Sequence, residues 1–128
     1  MAFKGKTIMK KILLLAVALA VCSASAASAA QIRVRVSNFT FQPATINAHV
    51  GDVIIWRFVN GMHTTTSTSV PAGAQTWNAS IDSTHTQFRY HIQVAGTYQY
   101  QCNFHFAQGM VGTIVVSAAA PLQAPATN

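Results

Sequence analysis

The sequence predicts an all-β protein, an antiparallel β-sandwich that forms a single domain. Apolar and polar residues alternate in several short runs, which is the pattern of strands that bury one face. Glycine, proline and aspartate separate these runs as turn signals, and no segment beyond residue 30 has the 3.6-residue periodicity of an amphipathic helix. We expect the domain to span residues 31–117, since a chain of about one hundred residues can bury one core without disulfide bonds.

The first half of the domain shows two stretches of strand pattern. Residues 32–37 alternate between apolar and polar side chains, and residues 39–41 continue the extended pattern until Pro43 ends it. After a turn at Gly51-Asp52, the run Val53–Val59 is apolar on both faces. Such a run is typical of a central strand that is covered on both sides.

The second half continues the pattern around a turn signal at residues 71–73. Threonine and serine fill residues 64–69 almost completely, which favours extended structure or a loop over a helix. Residues 88–94 alternate as an amphipathic strand, and the next strand places Tyr98, Tyr100 and Cys102 on one face. A closing strand is expected at residues 112–116, followed by a loose Ala/Pro-rich tail at residues 118–128.

Residues 1–30 have the composition of a cleaved export signal. Four lysines accompany an apolar run from Ile12 to Val21, and Ala27-Ser28-Ala29 matches the A-x-A pattern, so cleavage is expected after Ala29 or Ala30. The apolar run is about half as long as a membrane-spanning helix, so we expect no stable membrane insertion. The mature protein should be periplasmic or otherwise exported.

Removal of the signal changes both the charge and the cysteine count. All four lysines leave, and the remaining four arginines minus two aspartates give a net charge of about +2, too weak to steer partners strongly or to indicate nucleic-acid binding. Cys22 leaves as well, so Cys102 is the one cysteine of a protein that enters an oxidising compartment. A sulfur without a cysteine partner there suggests a reactive thiol or a metal ligand.

Four side chains with sulfur or nitrogen donor atoms form the strongest functional signal. Cys102, His105 and Met110 are spaced C-x2-H-x4-M, and His63 follows a strand break at Asn60-Gly61. Taken alone, the cysteine and the methionine would more often be apolar core residues, and the histidine could be a surface residue. Together, and without a partner for the cysteine, they match the Cys, two His and weak Met of a blue-copper site.

Copper is favoured over zinc as the metal, with one ion per chain. Structural zinc sites rarely use a thioether, and Cu(II) outranks zinc in affinity for a given site. The other histidines, His49, His85 and His91, share no ligand spacing and should be solvated. A copper oxidase or nitrite reductase would need a second, histidine-rich copper site, so we expect that the protein is not an enzyme.

Five segments spread over the mature chain carry a family pattern: Phe41–Ile46, Val50–Asp52 with Trp56, His63-Thr64, Gly96–His105 and Gly109–Val116. In these segments the sequence resembles the cupredoxins, and in particular their plastocyanin/pseudoazurin-like branch. The resemblance implies an eight-stranded Greek-key β-sandwich with copper held at one end by His63, Cys102, His105 and Met110. It also implies a hydrogen bond from Thr64 to the cysteine sulfur, which would tune the reduction potential.

The resemblance further implies that His105 reaches the surface as the port for electrons, within a ring of apolar residues. Candidates for the ring are Met62, Phe104, Phe106 and Val111, and such a patch suits transient docking. The expected function is that of a soluble, monomeric type 1 copper protein. It would carry single electrons between redox proteins such as a c-type cytochrome or a copper/haem oxidoreductase.

Two alternatives remain open from the sequence. The protein could be a periplasmic copper-binding or copper-delivery protein, in which metal handover matters and redox cycling does not. It could also be a metal-free sandwich that serves as an interaction module, and such a module would gain no stability from copper.

Overall fold

The computed structural model describes residues 27–119. Most of the predicted signal peptide (1–30) and most of the predicted tail (118–128) lie outside these residues. The strands are β1 (Gln31–Ser37), β2 (Thr40–Gln42), β3 (Thr45–His49), β4 (Val53–Phe58), β5 (His63–Ser69), β6 (Asn78–Ile81), β7 (Gln87–His91), β8 (Gly96–Gln101) and β9 (Val111–Ser117). A short 3-10 turn at Phe106–Gln108 is the one helical element among the described residues. Within residues 27–119, no helix is long and apolar enough to cross a membrane.

The strands form two sheets, with strand orders β2-β1-β4-β7 and β3-β9-β8-β5-β6. The predicted all-β sandwich in one domain is confirmed, but its sheets are mixed, because β1 pairs in parallel with β4 and β3 pairs in parallel with β9. The chain crosses from one sheet to the other between these partners, and a crossover lets it return in the same direction. Alternation of apolar and polar residues reports which face is buried and carries no information on strand direction.

The predicted first strand is interrupted at Phe39. This residue has a φ of 60°, in the left-handed region, and β2 folds back onto β1 with Ser37 opposite Thr40. The expectation that residues 39–41 simply continue the strand was therefore wrong. The reversal adds a short strand, and residues 27–119 form nine strands where the resemblance implies eight. Asn38 was the available turn signal, since asparagine favours chain reversals.

The core lies between the sheets and is rich in aromatic side chains. Trp56 from β4 is fully buried and meets Tyr100 from β8 edge to face, with ring centroids 5.2 Å apart. Trp77, which precedes β6, packs on Tyr90 with a centroid distance of 4.5 Å. Burial raises the pKa of both tyrosines to about 12. The core therefore packs aromatic rings from both sheets against one another.

Strand pairing brings distant parts of the chain together where β8 ends. β5 and β8 are antiparallel neighbours, and Thr66 lies opposite Gln101, the last residue of β8. The first residue of β5, His63, therefore extends past the point where β8 ends and its following loop begins. Tyr98, Tyr100 and Cys102 are all essentially buried, as the alternation in this segment predicted.

Candidate metal centre

The segment from Cys102 to Met110 is a compact loop that is closed by its own backbone. The Cys102 N–H donates to the Met110 carbonyl at 3.0 Å, and the N–H groups of His105 and Met110 donate to the carbonyls of Cys102 and His105, each at 3.2 Å. Gly109 ends the 3-10 turn with a φ of 83°, a conformation that costs glycine little. These bonds hold the three predicted donor residues of the loop in one unit.

His63 forms the strand side of the site. It is 1% exposed, and its Nε2 lies 2.8 Å from the Asn60 carbonyl oxygen. A carbonyl can only accept, so Nε2 carries the hydrogen and Nδ1 keeps its lone pair. Burial lowers the pKa of His63, the bond to Asn60 opposes that shift, and the nearby His105 adds to it. The ring is therefore held in the neutral form that binds metals.

The donor atoms of the two sides meet around the sulfur of Cys102. The His105 Nδ1 lies 3.4 Å from Sγ, and the His63 Nδ1 lies 3.9 Å from it. One donor atom from each of the three residues can be chosen so that all lie within 4.8 Å of one another. Cys102 is fully buried and is a free cysteine. A group this tight leaves room for a single ion between its donors.

Thr64 joins the strand side to the loop side. Its backbone N–H lies 3.5 Å from the Cys102 Sγ, and its hydroxyl accepts a bond of 2.9 Å from the Asn103 N–H. The first of these bonds places a donor against the sulfur, as the family resemblance implied. The second ties the start of the loop to β5. Donors of this kind orient a ligand sulfur and tune a bound metal.

Met110 completes the set of sulfur and nitrogen donors. Its side chain is fully buried, and its backbone is bonded to both Cys102 and His105. A thiol, two imidazoles and a thioether are the donors that suit copper in both of its oxidation states. Structural zinc sites rarely use the thioether. The residues present therefore fit copper, in the arrangement of a type 1 site.

Large apolar side chains next to the predicted ligands in sequence are exposed. Four of them are more than half exposed: Met62 at 63%, Phe104 at 57%, Phe106 at 54% and Val111 at 51%. His105 itself is half-buried, and the ring of Phe39 meets its imidazole edge to face at a centroid distance of 4.8 Å. The sequence did not predict Phe39 here, because this contact arises only when β2 folds back onto β1 after Asn38.

The other histidines lie away from this cluster. His49, His85 and His91 are all exposed. His85 bonds to Asp82 at 3.0 Å, and hydrogen bonds from Thr84 and His85 hold the pKa of that carboxyl well below its usual range. Within residues 27–119, His63, Cys102 and His105 are the one group of three or more such donors close enough to share a metal ion.

Comparison with known proteins places this site in a family. The model of copper-binding proteins of the plastocyanin/azurin family matches residues 28–117. A pseudoazurin from Sinorhizobium meliloti is 31% identical, with a TM-score of 0.61 over 70% of this chain and 76% of its own. A search by sequence against curated proteins finds no match.

More distant structures share the fold. A pseudoazurin from Hyphomicrobium denitrificans is 20% identical, with a TM-score of 0.62 over 70% of this chain and 77% of its own. Plastocyanin from Dryopteris crassirhizoma is 24% identical, with a TM-score of 0.58 over 66% of this chain and 99% of its own. The resemblance to the cupredoxins and the expected copper cofactor are both confirmed. The chain therefore belongs to the plastocyanin/azurin family of copper-binding proteins.

Proposed function

We propose that this protein is an exported type 1 copper protein that carries single electrons between partner proteins. The observation that carries the proposal is the buried cluster in which donors of His63, Cys102 and His105 lie within 4.8 Å of one another. Copper in such a site supplies one-electron chemistry by changing between Cu(I) and Cu(II). The chain contributes the geometry and the surroundings of the metal.

The proposed ligands have distinct roles. Cys102 supplies the thiolate, and His63 and His105 each supply an Nδ1. Met110 supplies a weak axial thioether. The Thr64 N–H hydrogen-bonds the sulfur and so reduces its electron donation to the metal. This division matches the needs of a site that must serve two oxidation states.

The fold keeps these donors in place. His63 is fixed by its bond to Asn60, and the loop is closed by the backbone bonds between Cys102, His105 and Met110. Donors that are already held in position need little movement when the charge of the metal changes. Little movement means a low reorganisation cost, which favours rapid electron transfer over ligand exchange.

The apolar surface gives the proposed docking site. Met62, Phe104, Phe106 and Val111 each adjoin a proposed ligand in sequence and are more than half exposed, and the ligand His105 is half-buried. A small apolar patch beside a redox centre suits a brief contact with a partner such as a c-type cytochrome or a copper/haem oxidoreductase. We expect the protein to act as a monomer in the periplasm or another exported location, with no catalytic reaction of its own.

Copper delivery is less well supported. A delivery protein must present its donor atoms to a receiving protein, but His63 is 1% exposed and both Cys102 and Met110 are fully buried. Release of the metal would require the β5 side and the loop to separate. The structure therefore favours retention of the ion.

The visible spectrum of the protein loaded with Cu(II), combined with voltammetry, tests the proposal. We expect an intense blue thiolate-to-copper band that bleaches on reduction, together with a reversible one-electron wave. Cys102→Ser should abolish both, because a hydroxyl cannot replace the thiolate. His91→Ala, which changes an exposed histidine on β7, is the matched control and should keep both. A colourless wild-type protein, or colour retained by Cys102→Ser, would overturn the proposal.

A further inference from the structure

Asp52, at the turn before β4, is a buried carboxylate without a full countercharge. It is 6% exposed, and no lysine or arginine within residues 27–119 forms a salt bridge with it. The nearest cationic candidate is the His49 imidazole, whose Nδ1 lies 3.9 Å from Oδ2 and whose side chain is 47% exposed. A buried charge of this kind normally has a partner.

Its two oxygens have different backbone donors. Oδ2 accepts the His49 N–H at 2.9 Å, which closes the turn between β3 and β4. Oδ1 accepts the Ala30 N–H at 2.9 Å, across 22 residues of sequence. Oδ2 therefore serves the turn, whereas Oδ1 binds the residue just before β1.

Ala30 makes the first backbone hydrogen bond of the β1–β4 pairing. Its carbonyl accepts the Val53 N–H at 2.9 Å, which extends the parallel pairing of β1 and β4 by one residue. Ala27, Ser28 and Ala29 are exposed and lie outside every strand. These three residues form the A-x-A motif that the sequence presents as a processing signal.

We propose that export processing cuts the Ala29–Ala30 peptide bond and that the new α-ammonium group of Ala30 binds Asp52 as its missing countercharge. A membrane-bound peptidase would add one water across this amide. Ala29 keeps the carboxylate, and Ala30 keeps the amino group, which takes up a proton. The Ala30 nitrogen then carries a positive charge at the position that it already occupies, 2.9 Å from Oδ1. The carboxylate then accepts from a cationic ammonium in place of a neutral amide, so the bond joins two opposite charges.

Cleavage one residue later would have a different result. It would remove Ala30 and with it both the bond to Oδ1 and the bond from Val53. Asp52 would then stay buried with two partners left: the His49 N–H that closes the turn, and the exposed His49 ring at 3.9 Å. Of the two cleavage positions that the motif allows, only the Ala29–Ala30 bond satisfies this carboxylate.

The first test is the intact mass and N-terminal sequence of the protein exported from the full chain and loaded with copper. The proposal expects Ala30 as the first residue. A mature protein that begins at any other residue, including Gln31 or Ala29, would overturn it. This result does not depend on colour or redox activity, so it stands apart from the test of the copper function.

The second test separates a charge pair from a turn-closing role. Copper-loaded chains that begin at Ala30 and at Ala29 are compared, each with and without Asp52→Asn, by urea unfolding. Both chains keep the Ala30 N–H, but only the first carries an ammonium there. Asp52→Asn should raise the equilibrium constant for unfolding about five- to tenfold more in the chain that begins at Ala30 than in the chain that begins at Ala29. Equal effects in the two chains would show that Asp52 only closes the turn.

A third measurement needs no variant of Asp52 and covers the case in which Asp52→Asn does not fold. A free α-amino group has a pKa of about 8 and is acylated readily near neutral pH. An Ala30 ammonium bound to Asp52 should be acylated several-fold more slowly than the unbound amine of the chain that begins at Ala29. Equal acylation rates would overturn the proposal.

Discussion

The two sides of the metal centre are built in different ways. The loop side, Cys102–Met110, holds three donor residues within nine positions and is closed by bonds between them. The strand side consists of His63 and Thr64 on β5, which contact Cys102 across separations of 39 and 38 residues. The loop is short-range and partly exposed, whereas the strand side is long-range and buried.

This difference divides the work of the site. The loop sets the spacing of the donors and presents His105 to the surface, and its geometry follows from local bonds. The strand side covers the sulfur, supplies the second imidazole and depends on the packing of the whole sandwich. We therefore expect separable effects on stability and reduction potential from changes at three places. These are the base of the loop, the link between the two sides and the buried thioether.

The largest effect is expected at the base of the loop. A Cβ on Gly112 would run into the ring of Tyr100, which is buried in the core. Gly112→Ala should therefore destabilise the protein by about 3 kcal/mol, because neither the strand nor the ring can move aside. Gly109→Ala is the matched change, since its Cβ would meet open space and its φ of 83° costs an alanine about 1 kcal/mol. Urea unfolding of the copper-loaded proteins measures both, and equal losses would contradict the distinction.

A smaller effect is expected where the two sides are joined. Thr64→Val keeps the shape of the side chain but removes the oxygen that accepts the Asn103 N–H at 2.9 Å. The unpaired N–H should cost about 1–2 kcal/mol. Thr64→Ser keeps the hydroxyl and should cost less, although it also loses a buried methyl group. If the serine variant were the less stable of the two, packing rather than the hydrogen bond would link strand and loop.

The smallest effect on stability is expected at Met110, and it should be visible in the potential. Met110→Leu conserves volume in a fully buried position, so the free energy of unfolding should change by less than about 1.5 kcal/mol. Loss of the weak thioether donor disfavours Cu(II), so the reduction potential should rise while the blue colour stays. Met62→Leu, at an exposed methionine beside the site, is the control. An unchanged potential in Met110→Leu would remove this residue from the axial position.

The sequence was most informative where the chemistry is local. The spacing of Cys102, His105 and Met110 predicted the loop, and alternation predicted the buried face of β8. His63 could be placed beside the loop because it follows a strand break and because the family resemblance supported it. The predicted roles of these residues as ligands stay predictions until copper binding is measured.

The features that the sequence did not predict are the ones that depend on pairing. Strand direction leaves no trace in the alternation of side chains, so the parallel partners of β1 and β3 were not anticipated. The same holds for Phe39, whose contact with His105 exists only because β2 folds back on β1. The acceptor of the His63 ring is a backbone carbonyl, which every residue carries and no residue type signals.

The long separation between the two sides also sets the order in which the centre can form. Donors within a nine-residue loop meet as soon as that loop closes, whereas His63 joins them only after β5 has paired with β8. Pairing between distant segments is the slow part of folding in all-β proteins. With the proposed ligands, a chain that meets copper early would thus bind it first through Cys102, His105 and Met110, and the arrival of the second imidazole would report that the sandwich is complete.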